Sequence, residues 1–385
     1  MTKIKNFLSY IIFTMIFLFI FDFFFGSKIL NYQKNNSFNK FPQHVNSSLV
    51  DHEFWNHDLK KNFEGTDAYN QFIFETCTNN FGFRVSCTNK KNNQKKFDIA
   101  IIGDSWTESL GLNYENSWLN FLEIELPEKK IINLGVRSFS PSLSYIKLKK
   151  LILNEEFDFK EVFVHIDIGD IENEALDYIL LNNNRVINKQ TNEKKRTELS
   201  EFKTKNIKEK NIFFRFKRFF RSSFPVIYQS FFELRYYNLP KPRYRYYNKY
   251  QTASWTFNKS EIFWYDVDLG IKNSLYAMNK IYDLLSSNNI KLSIILVPWP
   301  NQLLWDSVES EHVKIFTDFC YNKCNNIINF YPAFFNNKNK LNIKEAKKNI
   351  RELYLLGDMH TSIKGNKLIA SEFSKQLSNK EVNIK

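Results

Sequence analysis

The sequence predicts an α/β protein, a three-layer α/β/α sandwich around a five-stranded parallel sheet. Two observations carry this: short apolar runs rich in β-branched residues recur along the chain, and helical stretches separate them. Alternation of this kind calls for a parallel sheet covered on both faces, with its site at the carboxyl ends of the strands. The expected strands are Phe97 to Ile102, Lys130 to Leu134, Glu161 to Ile166, Lys291 to Val297 and Asn326 to Phe330. The expected helices are Ser117 to Leu126, Ser142 to Leu153, Leu275 to Leu285 and Ile363 to Leu377, the third with apolar residues at Leu275, Met278, Ile281, Tyr282 and Leu285.

Composition supports a packed core: 43% of residues are hydrophobic, 17% are aromatic, and Gly and Pro are scarce, which excludes fibrous and largely disordered classes. The formal charge of +13 is local. Residues 181–250 hold 18 Lys and Arg against 5 Asp and Glu, and the remainder carries 36 of each sign. One basic, aromatic segment, containing Phe213 to Leu234 and Arg243 to Tyr247, therefore interrupts the α/β pattern between the third and fourth strands. Such a segment suits an anionic membrane surface, an acidic glycan or a solvated lid; the exported setting argued next speaks against nucleic acid.

Ahead of the α/β region, residues 7–25 form an apolar run interrupted by Asp22 and small polar groups, preceded by Lys3 and Lys5. At 1.5 Å per residue the run reaches roughly 28 Å, about a hydrocarbon core. The expectation is an uncleaved single-pass anchor in the inner (cytoplasmic) membrane, with residues 1–6 cytoplasmic and the rest in the periplasm or outside the cell. Residues 26–95 read as a polar, Asn-rich stalk that becomes ordered near the first cysteine pair, with His52 and His57 as surface histidines. The α/β domain, with its basic insertion at about 181–250, is expected over 96–380. Cys77 with Cys87 and Cys320 with Cys324 are each locally spaced and follow the anchor, so two local disulfides are the simplest account; no His stands at ligand spacing beside them, and no metal is expected.

The chemistry sits in two short segments. The first strand runs into Gly103-Asp104-Ser105-Trp106-Thr107-Glu108, where a serine at a strand-to-helix turn presents its hydroxyl at the sheet edge. Gly357-Asp358-Met359-His360 precedes the last expected helix and supplies a base, with Asp358 to fix the imidazole tautomer. A carboxylate pair, Glu108 and Glu172, has no other support as glycosidase machinery.

On these residues the chain resembles the SGNH, or GDSL, hydrolase superfamily, and in particular its membrane-anchored bacterial branch related to polysaccharide O-acetyltransferases and O-acetylesterases. The resemblance runs from about Phe97 to Leu377. It implies Ser105 as nucleophile, His360 as base and Asp358 as its partner in an Asp-x-His spacing. Asn133-Leu134-Gly135-Val136 matches the second block, implying that the Gly135 amide joins the Ser105 amide in an oxyanion hole. The third block departs: in place of Gly-x-Asn-Asp the chain reads Asp167-Ile168-Gly169-Asp170-Ile171-Glu172-Asn173. Asp170 as a carboxylate only accepts hydrogen bonds, so either Asn173 supplies the third donor or the hole rests on two backbone amides. Trp106, Asp170 and Trp299, the last within Pro298-Trp299-Pro300-Asn301-Gln302, are candidate substrate contacts, a Trp face suiting a sugar. The implied function is an extracytoplasmic serine O-acyl esterase or O-acyltransferase on cell-envelope or exported polysaccharide, needing no cofactor. As a transferase it would draw on a membrane acyl-donor protein; a catalytically weak glycan-binding or assembly protein is the alternative.

Overall fold

The computed structural model describes residues 2–38, 44–69, 72–88, 94–181, 185–188, 252–259, 262 and 264–383, together with 219, 223–224 and 226–227. Most of the basic segment therefore lies outside the described residues. Two units emerge, residues 44–196 with 240–385, and residues 1–43 with 197–239.

In the larger unit the expected sheet forms. Its strands are β1 (Lys96–Ile102), β2 (Ile131–Asn133), β3 (Asp158–His165), β4 (Lys291–Leu296) and β5 (Asn326–Asn329). Their spatial order is β5-β4-β3-β1-β2, and every neighbouring pair is parallel. The central strands are apolar runs with no exposed face: Ile101, Ile102, Val162, Phe163, Ile294 and Leu296 are fully buried. Burial on both sides is why the strands read as continuous hydrophobic stretches rather than as alternating ones.

Helices Trp118–Glu125 and Ile363–Asn383 pack together, while Pro141–Leu153 and Asp170–Leu176 both pack on Val267–Ser287. The connection from β1 to β2 runs one way along the sheet and that from β2 to β3 runs the other. Because parallel crossovers are right-handed, their helices fall on opposite faces. The order reverses at β1, so the carboxyl ends of β1 and β3 are the switch point at which open α/β sheets bind ligands.

The stalk expectation is corrected. Residues 44–85 build a four-stranded antiparallel sheet from His44–Val45, Glu64–Tyr69, Phe72–Thr78 and Arg84–Val85, and a separate hairpin from Leu49–His52 and Asn56–Leu59. Trp55, Phe74 and Phe83 are buried beneath it. Its strands are too polar to announce themselves as buried runs, because their order comes from contacts distant in sequence. His57 is half-buried, its Nε2 lying 2.7 Å from the Arg137 carbonyl and its ring edge-on to Phe139. His52 stacks on Trp55 at 3.4 Å, and burial lowers it to about 4. Both expected disulfides, Cys77–Cys87 and Cys320–Cys324, are present.

The smaller unit contains helix Thr2–Phe38, which leaves Phe13, Phe17, Phe24 and Tyr10 exposed. The Asp22 carboxylate on it is buried and accepts hydrogen bonds from the Val226 and Ile227 amides. Among the described residues no helix is long and apolar enough to cross a membrane, so the expected span at 7–25 is not supported; Asp22 lies inside that run.

Candidate active site

β1 ends at Ile102, and Gly103 turns the chain. A Cβ there would come within 2.6 Å of Thr107 Oγ1 and 2.8 Å of the His165 Cβ, so only glycine fits this close approach. Asp104 then caps the short helix Ser105–Glu108, its carboxylate accepting from the Trp106 amide at 3.0 Å. Ser105 is thereby presented as its first residue, 7% exposed.

The second segment arrives from the far end of the chain. The Ser105 hydroxyl lies 2.8 Å from His360 Nε2. His360 Nδ1 lies 2.5 Å from Asp358 Oδ1, which also accepts from the His360 amide at 3.0 Å. The Ser105 hydroxyl is farther, at 3.4 Å, from Asp104 Oδ2. A donation from Ser105 to Nε2 and from Nδ1–H to Asp358 satisfies all three groups, which is the arrangement of an alcohol activated by a general base whose tautomer is fixed. Burial works to lower the His360 pKa, but the charge and hydrogen bond of Asp358, then the charges of Asp104 and Asp167, outweigh it and hold the imidazole above its ordinary value. The expected trio is thus brought together.

The other expected residues fall differently. The Gly135 amide donates to Asn133 Oδ1 at 2.9 Å, closing a turn after β2, so in this arrangement it does not face an oxyanion. Asn133 Nδ2 donates in turn to the Thr107 carbonyl at 3.0 Å. One side chain thus ties the second-block loop to the nucleophile helix, and a Cβ on Gly135 would strike the Glu108 amide at 2.6 Å. Asn173 lies in the middle of Asp170–Leu176, and among the described residues no hydrogen bond joins it to Ser105 or His360. Helical geometry spends its backbone locally, with its amide on the Gly169 carbonyl.

Neither tryptophan offers a stacking face to solvent. Trp299 is 6% exposed, its Nε1–H donating to Asp167 Oδ1 at 2.6 Å. Trp106 is 4% exposed, wedged among the rings of His360, His165 and Tyr354. Burial of a large aromatic body against its neighbours outweighs its use as a platform here. Asp170 is also buried and accepts from the Asp167 amide at 3.0 Å. Burial, followed by the charges of Asp104 and Asp167, pushes the Asp170 carboxyl well up, and burial with the Asp104 charge pushes Asp167 up to about 7. Several carboxyls in one dry place resist ionising together.

Sequence reasoning missed the ion cluster behind the nucleophile. Arg137 Nη2 pairs with Asp67 Oδ2 at 2.9 Å and with Glu108 Oε1, Arg137 Nε donates to Glu108 Oε1 at 3.0 Å, and the Arg137 amide donates to Glu108 Oε2 at 2.6 Å. Glu108 is thus a structural anchor rather than half of a glycosidase pair. The signal was faint: Glu108 sits three residues after Ser105 and Arg137 two after Gly135, but nothing local says that they meet. Among the described residues no group of His, Cys, Asp and Glu could hold a metal ion.

No family model matches the chain, and no curated protein matches it. Among solved structures it is similar to the esterase EstA of a Pseudoalteromonas species, with 12% identity, TM-score 0.38, and 75% of this chain and 100% of that chain covered. It is similar also to a member of the lipolytic G-D-S-L family from Veillonella parvula, with 10% identity, TM-score 0.38, and 73% and 98% covered. A third is a catalytic mutant of an acetylxylan esterase from Geobacillus stearothermophilus, with 10% identity, TM-score 0.37, and 75% and 96% covered. At these scores the likenesses carry no argument, and the functional reading rests on the site's own geometry.

Proposed function

We propose that the protein is a serine esterase of the SGNH/GDSL type. The supporting observation is the continuous array Ser105 Oγ, His360 Nε2, His360 Nδ1 and Asp358 Oδ1, at 2.8 and 2.5 Å, at the switch point of a parallel sheet. In this reading His360 takes the Ser105 proton as the oxygen attacks an ester carbonyl, and Asp358 steadies the imidazolium. The tetrahedral oxyanion draws on the Ser105 amide, which as the first residue of its helix has no partner within that helix. His360 returns the proton to the leaving alcohol, and water, activated by the same imidazole, releases the acid from the acyl-enzyme. A sugar hydroxyl in place of that water makes the same site an O-acyltransferase.

The finer reading is an extracytoplasmic enzyme acting on acylated carbohydrate of the envelope or exported polysaccharide. Two disulfides favour an oxidising compartment. Attachment through the N-terminal helix to the inner membrane, and supply of acyl groups by a membrane donor protein, belong to the same proposal. The test is the full chain with 4-nitrophenyl acetate, then with an acetylated oligosaccharide and an acceptor glycan. Turnover lost in Ser105→Ala and His360→Ala supports the reading, and acetylated acceptor in place of free acetate identifies transfer. A second reading, a catalytically weak glycan-binding protein on this scaffold, draws on the engaged Gly135 amide; it is favoured by glycan binding without turnover of any acyl ester.

A further inference from the structure

Four contacts run from the antiparallel sheet and its hairpin to the chain around Ser105. Arg84 is wholly buried, and its guanidinium donates to the carbonyls of Glu108, Ser109 at 2.8 Å, and Leu112, the stretch that leaves the nucleophile helix. Ser109 there adopts a left-handed φ of 62°, a conformation a serine holds at some cost unless its surroundings enforce it. Asp67, wholly buried, grips Arg137 and is itself held by the Ser48 amide at 3.1 Å and the Thr76 hydroxyl at 3.0 Å. His57 approaches the Arg137 carbonyl from the hairpin. The Tyr69 ring stands edge-on to the His360 imidazole, with centroids 5.2 Å apart.

These contacts reach both loops that frame the reacting oxygen: the turn carrying Ser105 and the loop after β2. A helix of four residues has almost no internal hydrogen bonding with which to hold its own position, so its orientation must be imposed from outside. We infer that residues 44–85 are a working part of the active site, with Arg84, Asp67 and Arg137 as positioning residues for Ser105 and Tyr69 as a positioning residue for His360. This rests on the serine esterase reading above. The Cys77–Cys87 bond belongs to the device, because it closes the loop from which Arg84 projects.

The test uses the full chain with 4-nitrophenyl acetate, and a fluorophosphonate probe that labels an activated serine. Asp67→Asn and Arg84→Lys keep size and polarity; each is expected to lower kcat and the labelling rate about tenfold to a hundredfold with KM nearly unchanged. Circular dichroism and a cooperative melt check that the fold persists. Tyr69→Ala and Tyr69→Phe form a second pair at a half-buried position at the end of the same strand, read out by pH profile rather than by rate, with the same melt as a check on folding. Removing the ring rewets the imidazole, so the acid limb of kcat/KM moves to higher pH in Tyr69→Ala and stays in place in Tyr69→Phe. Folded Asp67→Asn and Arg84→Lys proteins with the parent kcat, together with an unmoved limb in Tyr69→Ala, would overturn the inference. A parent chain that neither hydrolyses the ester nor takes the probe would sink the esterase reading first and this inference with it. Loss of kcat in the variants of an active parent supports both.

Discussion

β1, β3 and β4 run for seven, eight and six residues and finish in runs of buried positions that are apolar apart from His165 at the end of β3, whereas strands Glu64–Tyr69 and Phe72–Thr78 mix exposed with buried residues and carry Asp67, Glu75 and Thr76. The first sheet sets where Ser105 emerges; the second bears on how it is held. The parallel sheet is stabilised mainly by apolar burial, which tolerates exchange among similar side chains. The antiparallel sheet meets the nucleophile region through buried charges, which are unforgiving once one partner is removed.

The sharpest break between the two regions is expected at the chemistry. Ser105→Ala abolishes turnover, and Asp358→Asn, which leaves packing nearly intact but supports the wrong tautomer of His360, lowers kcat by about 10⁴, read from initial rates on a chromogenic ester. Next comes Arg137→Ala, which strands the Glu108 and Asp67 carboxylates in a dry place. A loss of about 3–5 kcal/mol in urea unfolding is expected, and a loss below about 1 kcal/mol would mean that water enters the cluster.

The two disulfides give a milder contrast. The loops they close span 10 and 4 residues, and chain entropy alone assigns about 2.7 kcal/mol to Cys77–Cys87 and about 1.9 kcal/mol to Cys320–Cys324. Paired Cys→Ser variants should differ little in stability, yet only the first pair should lower kcat, since Cys320 ends a helix, Glu311–Cys320, that takes no part in the catalytic hydrogen bonds. Equal kinetic effects would dissolve the distinction between the regions.

The smallest effects are expected from acidity, within the parallel-sheet region itself. His360 must be neutral to act, and its pKa is held above the ordinary value, so kcat/KM should rise with pH through a midpoint above about 6.5. A raised folded-state value means that His360 contributes stability fully present below the unfolded value and lost as pH rises through the folded one. His312 behaves in the opposite sense: buried against Tyr331 and the Ile166 carbonyl, it is lowered to about 3, so its contribution is present above the unfolded value and lost as pH falls toward 3. Urea midpoints measured from pH 8 to pH 3 should therefore decline less steeply on the acid side in His312→Gln.

Sequence alone determined the five strands of the sheet, four of the helices around it, both cysteine pairings and the candidacy of Ser105, His360 and Asp358. Each of these is written in a local pattern: a buried run, a helical period, a short spacing, or a triplet at a predictable turn. Only the tertiary structure decided that Glu108, Arg137, Asp67 and Arg84 converge, that the Gly135 amide is taken by Asn133, that Trp299 points inward to Asp167, and that residues 44–69 and 72–85 form strands and a hairpin. Those outcomes depend on which distant groups share a volume from which water is excluded, and a charge or an amide in a sequence looks the same whether or not it will be desolvated.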